Sequence, residues 1–473
     1  MNPPAPNRLS SLTIWTISTP AAAYGALAVL LSIYLPPYYA SHLGMGAAGV
    51  AGVFFIVRLI DIGVDPVLGV AMDHTTTRFG RYRAWLMLGA PVMMVSVWLA
   101  IMPPTNASVA YMVAVLLLLY IGLSIIMLAH TAWAATVAPA YDDRSRMFAV
   151  LSVAGVVGTA ALLVLPPAMH IKSSADPRLI QAMGWFVIVS TPFGIAWAAL
   201  RIPEKVTASL VRDRTSLREY WDLLRRPEVL RVVGADLCLG LGPGWMTALY
   251  LYNSEDAKGF TSAQASSLLL VYVAASVVGA LLMSRIAVRF GKHQTLIASN
   301  AGYSLGLICI FFMPPRQFVL FAGFMAIMGF LGVGFTILVR AMLADVADKI
   351  RLETGKQQIG LLYSLITLTA KLASAFAIVF TFRLLPVVGF DPKLGVHNSP
   401  AAIMGLQLIF LIGPIVFVTL GGACFLGYRL DARAHADIRR ALDERDALAA
   451  LSPELNGLSG LSTAPPPVEP ITG

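Results

Sequence analysis

Charged residues are scarce in this chain of 473 residues: only 12% are Asp, Glu, Lys or Arg, whereas 58% are hydrophobic. Soluble domains carry about 25% charged residues, so the composition excludes an ordinary soluble protein. The mean hydropathy of +0.75 predicts instead a protein that crosses a membrane many times. The net charge of +9 does not indicate nucleic-acid binding, because the basic residues are not combined with stacking aromatic residues on a polar domain.

Cysteine is rare and the common catalytic motifs are missing. Cys238, Cys309 and Cys424 form no CxxC pair and have no histidine cluster nearby, which predicts small core residues rather than a redox or metal site. The chain contains no HExxH or GxxxxGK[ST] motif. We therefore predict neither an enzyme nor an ATP-driven pump, and no cofactor. The first residues lack the pattern of a removable signal peptide, so we expect the first apolar segment to be retained.

Long apolar segments are what the sequence has in abundance. A helix needs about 20 apolar residues to cross a bilayer, and twelve segments of the chain reach about this length. The sequence therefore predicts an all-α membrane protein with twelve transmembrane helices. The predicted spans are residues 12–38, 46–72, 84–103, 108–138, 145–169, 181–201, 229–253, 262–287, 294–313, 317–345, 358–386 and 402–428.

The polar stretch of residues 201–231 divides these segments into six and six. If the N-terminus is cytoplasmic, 25 Lys and Arg residues lie on the cytoplasmic side and six on the other. The positive-inside rule therefore predicts cytoplasmic termini in a plasma membrane, such as the bacterial inner membrane. The predicted parts are an N-terminal half (1–200), a linker (201–228) with an amphipathic helix around Leu217–Leu224, a C-terminal half (229–428), and a tail (429–473) with a helix near residues 430–451 and a disordered Pro-rich end.

Three charges interrupt the second apolar segment. Arg58, Asp61 and Asp65 fall within a sector of about 60° on a helix. A charge at bilayer depth costs about 2.5–3.5 kcal/mol on insertion scales, so such residues face a protein interior or a wet cavity. Asp61 and Asp65 repel when both are ionised, and binding of a proton or a small monovalent cation relieves that repulsion. The alternative is that the charges form a salt-bridge network that only holds the two halves together.

A short repeat and a longer motif indicate a family. RFGR at Arg78–Arg81 recurs as RFGK at Arg289–Lys292, 211 residues later, as in the major facilitator superfamily, whose two six-helix halves enclose the substrate. The segment RLIDIGVDPVLGVAMDHTTTRFGRYRAW, Arg58–Trp85, resembles the glycoside-pentoside-hexuronide:cation symporter family. Weaker resemblance continues at Trp133, at DDRSR, at ADVAD and at YSLITLTAKLASAFA.

The resemblance implies that Asp61 and Asp65 bind the coupling cation, with Asp65 the better candidate for a proton. Two neutral oxygen ligands that the melibiose carrier uses for Na⁺ match Val64 and Ile126 here. Because Na⁺ needs several oxygen ligands and a proton needs one carboxylate, we favour H⁺ over Na⁺. The partners implied are a small-molecule substrate, a coupling cation and the lipid bilayer.

The substrate pocket departs further from the family. The sugar-binding acids match Gly25 and Ala129, and the expected arginine falls among Val153, Ala154 and Gly155. Losing both acids removes the strongest acceptors for sugar hydroxyls. The pocket candidates that remain are Trp133, Lys371, Tyr24 and His130; Lys371 is expected to pair with Asp61 or Asp65 or to meet an anionic substrate group, and His130 either shuttles protons or is hydrogen-bonded in the core.

Gating residues are predicted in the loops that follow the second and eighth helices and in nearby segments. In the superfamily motif an Asp at one helix end pairs with basic residues and latches the gate. The candidates are Asp73, Arg78, Gly80, Arg81, Arg83, Arg144, Asp345 and Asp348. Arg340, inside the tenth segment, is expected to pair with Asp345 or Asp348, or else to contact substrate.

These observations predict a secondary transporter that couples a small, glycoside-like solute to H⁺ by alternating access. One alternative is a transporter of the same fold for an amphipathic or lipid-like substrate, because the pocket positions have become small and apolar. The other is a non-transporting membrane scaffold.

Overall fold

The computed structural model describes residues 9–41, 45–75, 77–104, 107–138, 141–204, 217–356, 358–428, 430 and 432–459. Twelve helices within these residues are long and apolar enough to cross a membrane. We number them α1 to α12: Pro20–Ser41, Gly46–Met72, Tyr82–Ile101, Val109–Val137, Arg146–Ala168, Pro177–Arg201, Pro227–Ala257, Ser262–Phe290, Lys292–Phe312, Phe318–Thr354, Ile359–Val387 and Pro400–Ala423. The predicted all-α membrane fold is confirmed.

Two predicted boundaries are wrong by several residues. α10 continues nine residues beyond position 345 and ends at Thr354, because its charged last turns stay helical after the apolar run stops. Gly355 then closes the helix with a φ of +73°, the left-handed conformation that glycine adopts most easily. α12 ends at Ala423 rather than 428, and Gly427 turns the chain with a φ of +67°.

The first helix is irregular. A separate short helix, Ser11–Ser18, precedes α1, and Pro20 stands at the first position of α1, where its missing N–H has no partner to lose. A wide π-helical turn at Leu30–Tyr34 interrupts the span. The predicted segment 12–38 therefore consists of two helices joined at Thr19.

Glycine allows helices to pack closely within each half. A Cβ at Gly25 would lie 2.3 Å from the Gly155 carbonyl oxygen, and one at Gly158 would lie 1.9 Å from that of Ala22. α1 and α5 are thus in backbone contact. In the other half, a Cβ at Gly329 would lie 2.1 Å from the Tyr272 carbonyl oxygen, which brings α10 equally close to α8. These approaches tolerate no side chain.

The two halves meet at one face and at mid-depth. We call the face that carries the helices Ser11–Ser18, Leu217–Leu224 and Ala432–Ser459 the terminal face, and the other the opposite face. At the opposite face the amides of Ser262 and Ala263 donate to carbonyl groups of the α5–α6 loop at 3.0 Å, and Ser174 donates to Glu255 at 3.0–3.2 Å.

Contacts between the halves continue at mid-depth and then stop. The Phe55 and Phe376 rings are 6.0 Å apart, and Lys371 contacts α2. Among the hydrogen bonds, ion pairs and ring contacts of the described residues, none joins α1–α6 to α7–α12 nearer the terminal face. Within the described residues, these contacts between the halves are therefore confined to the opposite face and to mid-depth.

Two further helices lie at the terminal face. The predicted linker helix is present at Leu217–Leu224, and its Tyr220 hydroxyl is 2.9 Å from that of Ser364. The tail helix, Ala432–Ser459, is longer than expected and reaches α10 through an ion pair of 2.7 Å between Asp446 and Arg351. The Pro-rich end, residues 460–473, lies outside the described residues, so its predicted disorder stays a prediction.

Candidate coupling and substrate site

The charges of α2 meet a lysine from the other half. Lys371 Nζ, on α11, lies 2.8 Å from Asp61 Oδ2 and 2.6 Å from Asp65 Oδ2. Arg58 is 3.4 Å from the same Asp61 oxygen. The Asp61 side chain is 1% exposed, whereas those of Lys371 and Asp65 are 18% and 23% exposed. The expected contact between Lys371 and the α2 carboxylates is thus present.

Asp61 and Asp65 have different surroundings. The second oxygen of Asp61 accepts a hydrogen bond of 3.2 Å from the Ser124 hydroxyl of α4, and Arg58 stacks over the Tyr120 ring at 4.1 Å. Asp65 Oδ1 is buried and has no hydrogen-bond partner among the described residues. Asp61 is therefore saturated by two cations and a hydroxyl, while Asp65 keeps one acceptor atom free.

This arrangement can exchange one cation for another. The lysine ammonium occupies the space between two carboxylates, which is also where a proton or small cation would bind. A buried charge that loses its partner is strongly unfavourable, so the lysine leaves only when another positive charge replaces it. Within the described residues, no group of three or more His, Cys, Asp and Glu side chains is arranged to hold a metal ion.

The pocket positions on α1 and α4 are filled by packing. Gly25 lies against Gly155, so no acidic side chain fits there, and Ala129 is fully buried. Trp133 is also fully buried, and its indole N–H has no partner among the described residues. Of the residues predicted to touch substrate, Trp133 faces no open space in this conformation.

Tyr24 and His130 form a pair between α1 and α4. His130 Nε2 is 2.5 Å from the Ile17 carbonyl oxygen and so donates to it. Its Nδ1 then accepts from the Tyr24 hydroxyl at 3.3 Å. Both ring nitrogens are occupied, and His130 is fully buried. The geometry favours a His130 that is hydrogen-bonded in the core, and Tyr24 is partly exposed.

A cavity of about 110 Å³ lies between the halves toward the opposite face. Its lining comes from α1, α5, α7 and α8 and is mostly apolar, with Thr159, Thr247, Tyr250 and Tyr272 as its polar members. None of the substrate residues predicted from the sequence lines it.

The loop after α2 is organised by an acidic residue that the sequence patterns did not indicate. Glu204, after α6, accepts hydrogen bonds of 3.0–3.1 Å from the amides of Arg81, Tyr82 and Arg83 at the start of α3. A carboxylate is favourable at a helix N-terminus. Gly80 has a φ of +105°, and a Cβ there would lie 2.3 Å from Glu204.

The remaining gating candidates of the N-terminal half lie around this loop. Arg83 donates to the Ala199 carbonyl. Arg78 stacks on Phe79, and Arg144 is exposed and lies 3.5 Å from the Ala135 carbonyl oxygen. The side chain of Asp73 lies outside the described residues, so its predicted latch stays a prediction.

Asp345 and Asp348 form ion pairs at the terminal end of α10. Lys292, in the RFGK repeat, is 2.6 Å from Asp345. His435 of the tail helix lies 3.4 Å from Asp345 and 3.1 Å from Asp348, and Arg439 is 3.6 Å from Asp348.

The predicted pairing of Arg340 with Asp345 or Asp348 is wrong. Asp345 and Asp348 pair with Lys292, His435 and Arg439 instead. An offset of five residues turns Asp345 about 140° away from Arg340 on the same helix.

Ser124, Glu204 and Asp236 were missed from the sequence. Asp236 accepts a hydrogen bond of 2.5 Å from the Thr369 hydroxyl of α11. An ionisable residue inside a membrane span is a candidate functional residue. This holds for Asp236 in the seventh apolar segment as it does for the charges of α2, so Asp236 could have been predicted from the sequence. Nothing in the local sequence distinguishes Ser124 or Glu204, whose partners are 63 and about 120 residues away.

Comparisons with known proteins agree with this architecture. The uncharacterized symporter YnaJ of Bacillus subtilis is 23% identical over 434 residues, which cover 88% of this chain and 91% of that protein. The isoprimeverose transporter of Lactiplantibacillus pentosus is 23% identical and covers 89% of each. The glucuronide carrier protein homolog of Escherichia coli is 24% identical, covering 88% of this chain and 91% of its own length.

Solved structures share the fold at low identity. The crystal structure of the nucleoside transporter NupG matches with a TM-score of 0.63 at 14% identity, covering 88% of this chain and 98% of that one.

The model of the family described as "MFS/sugar transport protein" matches residues 16–432. These relatives are named transporters and symporters rather than enzymes. The chain therefore belongs to the MFS/sugar transport protein family, and its relatives are symporters of the glycoside-pentoside-hexuronide type, as its second helix predicts.

Proposed function

We propose that this transporter is a symporter that couples a small glycoside-like solute to H⁺, in preference to Na⁺, by alternating access. The observation that carries the proposal is the position of Lys371 between Asp61 and Asp65, across the boundary between the halves. A cation that binds these carboxylates competes with the lysine. Cation binding is thereby linked to the contact between α2 and α11.

Asp65 is the proposed proton acceptor. Its free, buried oxygen offers a place for a proton, whereas both oxygens of Asp61 are already engaged. Ser124 supplies one neutral oxygen next to Asp61, which is fewer than Na⁺ needs. Once Asp65 is protonated, Lys371 is held by Asp61 alone, and the bridge between the halves weakens.

The bridge supplies part of the free energy that a conformational switch needs. Removing one partner from a buried ion pair costs about 3–5 kcal/mol, and moving a two-state equilibrium from 1:99 to 99:1 takes about 5.5 kcal/mol. Because Lys371 and Asp65 are partly exposed, we expect the cost of breaking this pair to be near the lower end of the first range, about 3 kcal/mol. Neutralising it shifts the conformational equilibrium by about two orders of magnitude.

The orientation proposed from the Lys and Arg distribution puts the terminal face in the cytoplasm of a bacterial inner membrane. Contacts between the halves that are confined to the opposite face and mid-depth then correspond to a state open to the cytoplasm, from which an imported solute leaves. The bridge of Lys371 to both carboxylates is what such a state should contain after the coupling proton has been released.

Two relatives, an isoprimeverose transporter and a glucuronide carrier protein homolog, support a glycoside-like substrate. The apolar lining of the 110 Å³ cavity favours a second candidate, an amphipathic solute. A glycoside with an apolar aglycone satisfies both observations.

The proposal is tested by uptake into proteoliposomes under an imposed pH gradient or an imposed Na⁺ gradient. We expect glycoside accumulation with the pH gradient. Asp65→Asn should abolish accumulation but retain exchange of substrate across the membrane, because exchange needs no net cation movement. Asp391→Asn, in the exposed α11–α12 loop, is the matched control and should behave as wild type. Accumulation driven by Na⁺ alone would contradict the choice of ion, and transport of amphiphiles without any glycoside would favour the second candidate.

A further inference from the structure

The cavity of about 110 Å³ between the halves is built from both of them. Two helices of each half contribute to it, α1 and α5 from one and α7 and α8 from the other. Its apolar members are Val29, Ile33, Leu163, Met246, Leu269 and Val273. Among the described residues, its lining includes none from α2 or α11, the helices that carry the coupling charges. The cavity is therefore separate from the coupling site, and it needs both halves in contact.

The hydroxyl groups of the lining direct their hydrogens into the protein. Thr159, Thr247 and Tyr250 each donate to a main-chain carbonyl oxygen, at 3.0, 2.8 and 2.8 Å. The Tyr272 hydroxyl lies against Gly332 of α10, where a Cβ would be 2.8 Å from it. The first three oxygens can still accept a hydrogen bond, but they have no hydrogen left to donate. The lining therefore suits a ligand that is mostly apolar and whose polar group, if it has one, is a donor.

The volume matches one small ring. An engineered cavity of about 150 Å³ lined by Leu, Ile and Phe stays dry and binds benzene or xenon, and a cavity of about 110 Å³ is of the same order. A buried water typically makes about three hydrogen bonds, whereas this lining offers it mainly acceptors. A ring of benzene size with one hydroxyl group, such as phenol, fits both the volume and the chemistry of the lining.

Occupancy of the cavity depends on the contacts between the halves at the opposite face. Leu269 and Tyr272 lie seven and ten residues after Ser262, the first residue of α8, so the cavity is about 10–15 Å inside those contacts. In an alternating-access cycle the contacts separate when the site opens to that side, and the walls of the cavity separate with them. A ligand that touches both walls binds the closed state better and shifts the population toward it.

We propose that the cavity is an inhibitory site for a small apolar molecule, a single aromatic ring with at most one hydroxyl group, whose binding holds the halves together at the opposite face. Such a ligand stops the cycle without competing for the coupling carboxylates. The inference goes beyond the proposed symport, since it needs only that the halves separate during the cycle, whatever ion and solute they carry.

Binding is measured by calorimetry on the purified full-length protein in lipid nanodiscs, with phenol as the probe. We expect half-saturation at about 1 mM, within the range that ligand efficiency allows for seven non-hydrogen atoms. Benzoate, which brings a charge, and 1-naphthol, which has two rings, should not saturate the site. Val273→Phe and Val29→Phe fill the cavity from different halves and should remove phenol binding. Val278→Phe, the same change at a position of α8 that is 52% exposed, is the matched control and should bind phenol like wild type.

The effect on the halves is measured by hydrogen–deuterium exchange at the start of α8. The amides of Ser262 and Ala263 are in the first turn, where an amide has no partner within its own helix, and they donate to carbonyl groups of the α5–α6 loop at 3.0 Å. Their exchange therefore reports separation of the halves. Phenol at about ten times its dissociation constant should slow this exchange about tenfold in wild type and leave it unchanged in Val273→Phe.

Leu269→Ala enlarges the cavity and should allow 1-naphthol to bind, a gain that misfolding cannot produce. Equal phenol binding by wild type and both filled variants, or no binding of 1-naphthol by a Leu269→Ala protein that melts cooperatively, would overturn the site. Saturable phenol binding that leaves exchange at Ser262 and Ala263 unchanged would overturn its inhibitory role. None of these results bears on the proposed symport, because the experiments use neither a transported solute nor an ion gradient.

Discussion

Lys371→Gln removes the one positive charge that bridges the two halves. In the variant, Asp61 keeps Arg58 at 3.4 Å and Ser124 at 3.2 Å, but Asp65 loses its only ion-pair partner among the described residues. Two carboxylates on adjacent turns then repel in a site where one of them is 1% exposed. We expect the variant to be less stable and to hold α2 and α11 together less firmly.

The cost follows from burial. Removing one partner of a fully buried pair costs about 3–5 kcal/mol, whereas an exposed pair contributes about 0–1 kcal/mol. With Lys371 18% and Asp65 23% exposed, we expect about 2–3 kcal/mol.

The assay is a double-mutant cycle on melting temperature, read in detergent. Asp65→Asn combined with Lys371→Gln restores the charge balance, so the double variant should be more stable than the sum of the single effects predicts, by about 0.5–3 kcal/mol. Strict additivity of the two substitutions, or a Lys371→Gln protein that melts like wild type at every pH, would refute the reasoning.

Three further predictions concern packing and gating. Glu204→Gln should lower the melting temperature by an amount equivalent to about 0.5–2 kcal/mol, because the charged cap of α3 is lost, and an unchanged melting temperature would contradict that role. Gly158→Ala should cost about 1–3 kcal/mol in a denaturation measurement, since its Cβ would lie 1.9 Å from the Ala22 carbonyl oxygen; full stability would mean that α1 and α5 are not in contact. Ser174→Ala removes hydroxyl support from Glu255 and should speed hydrogen–deuterium exchange at the start of α8, whereas unchanged exchange would show that this contact does not close the opposite face.

The helices follow from the sequence because hydrophobic length alone identifies a span. The ends of α10 and α12 do not follow from the sequence in this way. Hydropathy shows where an apolar run stops, but it does not show where the helix itself stops. The shared face of Arg58, Asp61 and Asp65 also follows, because it depends only on helical periodicity.

Helical periodicity does not predict which residues on different helices are in contact. Lys371 was expected near the α2 carboxylates because few cations lie inside spans, but the pairing of Arg340 with Asp345 or Asp348 on its own helix was wrong, because those carboxylates pair with Lys292, His435 and Arg439. Ser124 and Glu204 are ordinary residues whose importance comes from positions more than 60 residues away. Such pairings are set by the packing of whole helices.

Substrate-driven proton movement tests the central claim most directly. Wild-type protein in proteoliposomes, with a pH indicator outside and no imposed gradient, should make the medium more alkaline when a transported glycoside is added, and Asp65→Asn should give no signal while still exchanging substrate. Equal alkalinisation by wild type and Asp65→Asn would contradict the assignment of proton coupling to the carboxylates that Lys371 bridges.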